Sequence, residues 1–346
     1  APGFLTDSER ATAGGPSPGG DAWLYTGPPT DSGNPSVTAP EPTAPLPDRD
    51  DVVATATLLA GRIVRTPLLS APVLDARVGA RILLKLENLQ HTNSFKFRGA
   101  LSRLLRLTPE ERRRGVVAWS SGNHGRAVAA AARQLGIDAT VVMPTDAPSV
   151  KRERTAREGA SIVAYDRARE DREAIARAIA ADTGAVVVPS YDDRWVIAGQ
   201  GTAGLELLAQ ADADGARPEA LLVCCGGGGL TAGCALALES SGIAVHTVEP
   251  EGWDDHARSL ATGTRVTADG GSGLCDALLA PTPGALPWAV NRSRVRSGLV
   301  VTEAAVREAV AFAFHELRLV LEPGGAVALA AVLSGVLPAA GRTLAV

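Results

Sequence analysis

Short apolar runs and longer amphipathic stretches alternate along the chain from residue 51 onward. The spacing predicts strands over residues 81–86, 116–118, 139–143, 161–164, 185–188 and 223–225. It predicts helices over residues 52–62, 94–105, 127–135, 150–158 and 169–183, and a further helix that begins near residue 230. Strands that alternate with helices form parallel sheets covered by helices, and such sheets bind ligands at the carboxyl ends of their strands. The predicted fold class is therefore α/β.

Residues 1–50 lack this periodicity and contain ten prolines and seven glycines. A segment of this composition has too few apolar side chains to build a core. We therefore predict a disordered N-terminal extension, and the alternative is an arm that packs on a partner subunit.

The net charge and the longest uncharged run of the chain argue only against two function classes, nucleic-acid binding and membrane insertion. The 34 basic residues nearly balance the 38 acidic ones, so no excess of positive charge predicts nucleic-acid binding. The longest uncharged run, residues 220–238, contains four consecutive glycines, which favours a strand–loop–helix over a membrane span. With no secretory signal at the start of the sequence, we expect a cytoplasmic location without membrane contact.

The cysteines carry no recognisable metal or disulfide spacing. They show neither a CxxC pair nor a disulfide framework, and the five histidines are scattered. The sequence therefore predicts no zinc site, and we expect four small buried side chains in a reducing compartment: Cys224, Cys225, Cys234 and Cys275.

Lysine is rare in this chain, with three lysines against 31 arginines. Lysine can lose its proton and act as a nucleophile, whereas arginine cannot. Lys96 lies between Phe95 and Phe97 at a predicted helix start, where apolar neighbours and the helix dipole favour the neutral amine. Taken alone, it could equally be a surface lysine whose stem packs on a phenylalanine.

Two turns between a strand and a helix offer anion-binding groups. Residues 226–229 are four glycines whose N–H groups can turn toward one phosphate, although a tight turn is the simpler interpretation. Residues 120–125 (SSGNHG) combine two hydroxyls, an amide and free N–H groups that can bind a carboxylate, although an ordinary helix cap has the same pattern. A reactive lysine, a monophosphate loop and a carboxylate turn together favour pyridoxal phosphate acting on an amino acid.

Six ordered motifs after Thr66-Pro67-Leu68 resemble the fold-type II pyridoxal-phosphate enzymes of the serine/threonine dehydratase and serine racemase family. They are LLKLENLQHTNSFKFRGA (83–100), SSGNHG (120–125), VIAGQGTAGLEL (196–207), GGGGL (226–230), VEPEGWDD (248–255) and LEPGGA (321–326). The resemblance implies two open parallel-sheet α/β domains like those of the tryptophan synthase β subunit. It places residues 51–117 and 195–346 in a large cofactor-binding domain and residues 118–194 in a small substrate-binding domain.

The same resemblance implies roles for individual residues. Lys96 would form the Schiff base with the cofactor and act as the base at Cα. The other cofactor contacts would be Phe95, Asn123, Glu322 and the phosphate-binding residues Gly226, Gly227, Gly228, Gly229 and Leu230. The substrate carboxylate would be bound by Ser120, Ser121, Asn123 and His124.

A divalent-metal site is also implied, formed by Glu249, Asp255 and the Trp253 carbonyl. Two carboxylates and a carbonyl suit Mg²⁺ or Ca²⁺, and the alternative is a capped turn without an ion. Arg172 falls where this branch of the family can place an arginine near a second substrate carboxylate, although a solvated helix charge explains it equally well.

The resemblance predicts an ammonia-lyase that converts serine, threonine or 3-hydroxyaspartate to a 2-oxo acid and ammonia, acting as a homodimer. Ser121 would face Cα opposite Lys96, which leaves an amino-acid racemase as an alternative. The family's Ser-Gly-Gly-Asn motif, whose serine contacts the pyridine nitrogen, does not follow residues 342–346 in this sequence. A non-catalytic scaffold that binds the cofactor is therefore a further alternative.

Overall fold

The computed structural model describes residues 45–346, so most of the predicted N-terminal extension lies outside the described residues. The strands are β1 (Leu68–Ser70), β2 (Arg81–Lys85), β3 (Val116–Trp119), β4 (Ala139–Pro144), β5 (Ser161–Tyr165), β6 (Val186–Val187), β7 (Ala220–Cys224), β8 (Ala244–Pro250), β9 (Val295–Val301) and β10 (Thr343–Ala345). The helices are α1 (Arg49–Leu59), α2 (Pro72–Val78), α3 (Lys96–Leu105), α4 (Pro109–Arg114), α5 (Asn123–Leu135), α6 (Ser149–Arg157), α7 (Arg172–Thr183), α8 (Arg194–Ala213), α9 (Gly229–Ala237), α10 (Asp255–Thr262), α11 (Ala285–Arg294), α12 (Glu303–His315) and α13 (Pro323–Leu333).

The larger sheet has six strands in the order β1-β2-β10-β7-β8-β9. Its strands run parallel from β2 to β9, which confirms the α/β prediction. At one edge β1, a strand that the sequence analysis did not predict, pairs antiparallel with β2, with Leu68 opposite Lys85. The connection over residues 71–80 is shorter than the dozen or so residues that a parallel crossover needs.

The smaller sheet has four parallel strands in the order β5-β4-β3-β6. Val116, the first residue of β3, is paired with Ala139 on one side and Val186 on the other. All four residues of β3 therefore belong to this sheet, and the predicted domain boundary between residues 117 and 118 falls inside that strand. The division into two domains itself stays a prediction.

Helix starts differ most from the sequence-based expectations. Helix α5 begins at Asn123, four residues before the predicted start, because its first turn is polar and carries no apolar periodicity. Helix α7 begins at Arg172 rather than at residue 169, because the Asp171 side chain accepts hydrogen bonds from the main-chain N–H groups of Glu173 and Ala174.

Two large apolar clusters form the core of the described residues. One lies between the six-stranded sheet and helices α12 and α13, and the other lies between the four-stranded sheet and helices α3 and α5. Helix α8 is buried along residues 196–204 and packs against both α3 and α9. This packing sets the positions of three helix N-termini, those of α3, α5 and α9. Within residues 45–346, no helix is both long enough and apolar enough to cross a membrane.

Candidate active site

Lys96 is the first residue of α3, and its side chain is directed into the protein. Its Nζ donates a 2.9 Å hydrogen bond to the Ser190 carbonyl and lies 5.1 Å from the centre of the Phe95 ring. Burial lowers the pKa of Lys96 to about 8, and the carboxylate of Glu322 opposes this shift. Both predicted neighbours, Phe95 and Glu322, therefore act on the amine that the sequence singled out.

Helix α3 is anchored behind Lys96 by a buried ion-pair network. The guanidinium of Arg98 is completely buried and lies 2.8 Å from both Glu87 and Glu206, and Glu206 also accepts a 2.8 Å hydrogen bond from Lys85. Burial alone would lower the pKa of Arg98, but its hydrogen bonds to Glu206 and Glu87 raise that pKa. Sequence reasoning missed this network because its members lie as far as 121 positions apart.

The glycine run forms the loop between β7 and α9, as predicted. Gly228 has a left-handed φ of 90°, and a side chain at this position would collide with the imidazole of His256. In the described part of the chain, the N–H groups of Gly226 to Leu230 have no hydrogen-bond acceptor. Five donors at a helix N-terminus thus remain available to an anion.

Residues 190–193 connect the lysine to the glycine loop. The Ser190 carbonyl accepts the Lys96 hydrogen bond, the ring of Tyr191 packs on Gly227, and the Cβ and main chain of Tyr191 pack on Gly229. Asp192 accepts hydrogen bonds from the first two N–H groups of α11, at 3.0 and 2.8 Å. Sequence reasoning missed this segment, although two successive aspartates between a strand and a helix are a recognisable capping signal.

The predicted carboxylate turn lies between β3 and α5. Ser120 Oγ accepts a 3.1 Å hydrogen bond from the Gly122 N–H, and the half-buried Ser121 hydroxyl has no hydrogen-bond partner among the described residues. Asn123 donates a 2.5 Å hydrogen bond to Glu322, which joins the turn to the start of α13. Partial burial raises the pKa of Glu322, while the Asn123 hydrogen bond opposes the rise. Glu322 therefore connects the turn with Lys96, because it accepts the Asn123 hydrogen bond and its charge acts on the pKa of Lys96.

His124 is buried, and its Nε2 lies 2.8 Å from the Val188 carbonyl. Burial, assisted by the charge of Lys96, lowers the pKa of His124 to about 3, so the imidazole is neutral at physiological pH. Its Nδ1 has no partner among residues 45–346. Because Nε2 must donate to a carbonyl, the neutral ring presents Nδ1 as an acceptor and would need a protonated partner there.

Two of the three residues of the predicted metal site, Glu249 and Asp255, lie beside His256, a residue that the sequence did not single out. Glu249 accepts hydrogen bonds from the N–H groups of His256 and Ala257, at 2.9 and 2.8 Å. His256 Nδ1 lies 3.7 Å from Glu249 and 3.6 Å from Asp255. Burial raises the pKa of Glu249 and of Asp255, and the two carboxylates reinforce this effect at Glu249. Trp253 donates its main-chain N–H to Pro250 and its indole N–H to Ser272.

The donor groups fit pyridoxal phosphate. The site offers a lysine amine whose pKa is lowered by burial, five N–H groups for a phosphate and a polar turn for an amino-acid carboxylate. Residues 190–193 link the lysine to the glycine loop, and Glu322 links the lysine to the polar turn. When bound, pyridoxal phosphate supplies an electron sink for the charge left at Cα. The fold and the site thus define a pyridoxal-phosphate enzyme built on parallel sheets.

Comparison with known proteins gives the family. Residues 59–346 match the family model described as pyridoxal-phosphate dependent enzyme, and the chain belongs to this family. An L-threo-3-hydroxyaspartate ammonia-lyase from Pseudomonas sp. is 43% identical over 284 residues, which cover 82% of this chain and 88% of that protein.

Two solved structures are similar along nearly the whole fold. A threonine deaminase from T.th. has a TM-score of 0.81 at 43% identity, covering 86% of this chain and 96% of that one. Maize serine racemase has a TM-score of 0.83 at 34% identity, covering 87% and 92%. The predicted fold-type II family and a pyridoxal-phosphate-dependent ammonia-lyase acting on a β-hydroxy amino acid are confirmed.

Proposed function

We propose that this lyase acts on L-threo-3-hydroxyaspartate and releases ammonia and the corresponding 2-oxo dicarboxylic acid. The observation that carries the lyase chemistry is the Lys96 amine, whose pKa burial lowers to about 8 and whose bond to Ser190 links it to the segment that packs on the glycine loop. The substrate is proposed from the relative of that name at 43% identity. The Cα–H bond and the Cβ–O bond break first, and the proton and the hydroxyl leave as water. Water then adds to the released unsaturated amine, and the C–N bond breaks to give ammonia and the 2-oxo acid.

Each predicted site residue has a task in this proposal. Lys96 removes the Cα proton, and the N–H groups of residues 226–230 hold the cofactor phosphate. The turn at Ser120, Ser121 and Asn123 binds and orients the substrate carboxylate, while Glu322 and Phe95 border the cofactor ring. His124 supports the turn from below by its bond to the Val188 carbonyl.

The second carboxylate of hydroxyaspartate needs a cation, and Arg172 is the proposed partner. It is exposed at the first position of α7, and among the described residues it forms no ion pair. Burial raises the pKa of Tyr191, the tyrosine that packs on the glycine loop, and the charge of Arg172 opposes this rise. Arg172 thus lies within electrostatic range of the site.

The test measures 2-oxo acid release from both enantiomers of serine, threonine and threo-3-hydroxyaspartate, by the purified protein with added pyridoxal phosphate. We expect the highest kcat/KM with L-threo-3-hydroxyaspartate and no turnover by Lys96→Ala. Arg172→Met should raise KM for hydroxyaspartate and leave serine unaffected. Arg177→Met, one turn along α7, is the matched control, since Arg177 pairs with Glu173. Equal kcat/KM values for serine and hydroxyaspartate would contradict the substrate proposal.

A racemase activity is the second candidate, and the unpartnered Ser121 hydroxyl favours it. A hydroxyl opposite Lys96 could deliver a proton to the second face of Cα. Ser121→Ala should then abolish the interconversion of serine enantiomers, measured by chiral chromatography, while 2-oxo acid release continues. If wild-type protein interconverts no enantiomers, this second function is excluded.

Three further expectations are part of the proposal. The enzyme is a cytoplasmic homodimer, and light scattering should give twice the 35.5 kDa chain mass. A divalent cation binds at Glu249 and Asp255, for which the sequence suggested Mg²⁺ or Ca²⁺. The orphaned oxygens of Asp255 support a cation at this position.

A further inference from the structure

A second group of reactive side chains lies beneath the glycine loop, away from Lys96. The Cys225 Sγ, a Glu249 oxygen and a His256 nitrogen all lie within 4.8 Å of one another, and all three residues are buried. His256 Nδ1 is 3.6 Å from an Asp255 oxygen and 3.7 Å from a Glu249 oxygen. Ligands bound about 2.1 Å from one tetrahedral ion are separated by roughly 3.5 Å, close to the two distances from His256 Nδ1 to the carboxylates.

The unpaired atoms of this group point to a missing cation. Both Asp255 oxygens and His256 Nδ1 are fully buried and have no hydrogen-bond partner among the described residues. Neither Glu249 nor Asp255 forms an ion pair with a lysine or arginine in that part of the chain. Buried carboxylates are normally paired or bound to a metal, because an isolated buried charge is strongly disfavoured.

The chemistry of the donors decides which cation fits. Magnesium and calcium take oxygen ligands, but here a thiol and an imidazole lie within 4.8 Å of the Glu249 carboxylate, and the Asp255 carboxylate lies 3.6 Å from the same imidazole. A set of one sulfur, one nitrogen and carboxylate oxygens is typical of zinc and related transition metals. We propose that Cys225, Glu249, Asp255 and His256 form a buried site for one zinc-class divalent metal. The proposal refines the cation expected at Glu249 and Asp255 and does not depend on which substrate the enzyme uses.

The position of His256 gives this metal a task. Its Nε2 lies against Gly228 and is 3.4 Å from Asn291 Nδ2, which itself donates to the Gly228 carbonyl at 3.3 Å. A metal bound to Nδ1 would fix the orientation of the ring beneath the glycine loop. It would therefore hold the phosphate-binding N–H groups in place without touching the substrate, as a positioning element.

X-ray absorption at the zinc edge of the full-length holoenzyme tests the site. After chelator treatment and reloading with one equivalent of zinc, we expect one sulfur at about 2.3 Å and nitrogen or oxygen ligands at about 2.0–2.2 Å. Cys225→Ser should lose the sulfur scattering, and Cys224→Ser should keep it. Cys224 is the matched control, because its Sγ lies instead near the Gly325 carbonyl, at 3.5 Å.

Cofactor retention gives a second readout that does not require turnover. Zinc-loaded wild-type protein should lose pyridoxal phosphate on dialysis at least about tenfold more slowly than metal-free protein, and His256→Gln should remove this difference. Zinc bound without sulfur, displacement of zinc by millimolar Mg²⁺ or Ca²⁺, or no retained zinc would each overturn the proposal. The substrate panel is assayed separately, so a failed metal site leaves the lyase proposal standing.

Discussion

Two buried clusters of ionisable side chains lie behind the same active site, and they are built in opposite ways. The first joins Arg98 and Lys85 to Glu87 and Glu206, with two cations for two carboxylates. Thr66 completes it with a 2.6 Å hydrogen bond to Glu87. The second cluster joins Glu249 and Asp255 to His256 and Cys225, and it leaves both Asp255 oxygens without a partner.

The difference separates a structural network from a binding site. In the first cluster, hydrogen bonds offset the cost of burying the charges, so the network fixes α3 and leaves nothing for a ligand. In the second cluster two main-chain N–H groups bond to Glu249, but no protein group within residues 45–346 bonds to the Asp255 carboxylate, and unpaired buried polar atoms are maintained where they serve a function. The same comparison applies to two lysines, because Lys85 has a carboxylate partner whereas Lys96 bonds only to a carbonyl.

Removing the Arg98 charge from the first cluster should have the largest effect on stability. Arg98→Met keeps the volume of the side chain but leaves two buried carboxylates with Lys85 as their one remaining cation. We expect the free energy of unfolding to fall by about 3–5 kcal/mol, measured by urea denaturation. Arg77→Met is the control, since Arg77 pairs with Glu308 on the surface, and it should change stability far less. Equal effects of the two variants would contradict the comparison.

Removing a negative charge from the second cluster should instead stabilise the metal-free protein. In metal-free protein, Asp255→Asn eliminates a buried unpaired carboxylate, which we expect to raise the free energy of unfolding by about 1–2 kcal/mol at pH 8. The loss of a negative charge at the N-terminus of α10 offsets part of this gain. Denaturation in the presence of chelator measures the effect. With metal present, wild-type protein should be more stable than the variant, because only wild-type protein keeps all the proposed metal ligands. Destabilisation of the metal-free variant would argue against an unsatisfied Asp255.

The protonation of Lys96 gives a smaller and pH-dependent effect. Burial holds the pKa of Lys96 near 8, below the unfolded value of 10.5, so the folded protein gains the neutral amine as pH rises through 8. The rate at which cofactor-free protein takes up pyridoxal phosphate should therefore rise about tenfold per pH unit below pH 8 and level off above it. Stopped-flow absorbance of the Schiff base measures this rate.

Glu322→Gln sharpens the same experiment. Because the Glu322 carboxylate raises the pKa of Lys96, its removal should move the midpoint of cofactor uptake to lower pH, by less than about one unit. Glu303→Gln is the control, since Glu303 pairs with Arg307 on the surface of α12. A midpoint that shifts equally in both variants would contradict a specific effect of Glu322 on the pKa of Lys96.

Local patterns were sufficient for much of the fold. Apolar periodicity located most of the predicted strands and helices to within a few residues, because side-chain burial follows the period of the element. It failed at the polar first turn of α5, where Asn123 faces the site rather than the core. It also missed β1, a three-residue strand that is too short to show a period and depends on pairing with β2.

The candidate site was predictable where its groups occur in one short segment. Lys96 lies beside two phenylalanines, the glycines are consecutive, and the serine–asparagine turn is contiguous. Tyr191, Asp192 and Asn291 were not found, because each acts on a loop that is distant in sequence. The sequence also predicted no zinc site, since Cys225 and His256 belong to no local spacing motif.

The sequence by itself therefore determined the class of fold and the family and singled out the candidate reactive lysine, since these follow from local periodicity and from motifs within single segments. Only the tertiary structure decided how buried charge is balanced. A carboxylate such as Glu206 or Asp255 is the same chemical group in the sequence, and its free energy depends on which side chains fold against it. Arg98 and Lys85 reach Glu206, whereas the charged or polar side chain nearest to Asp255 is the neighbouring His256, which also lies close to Glu249 and Cys225 in the candidate metal site.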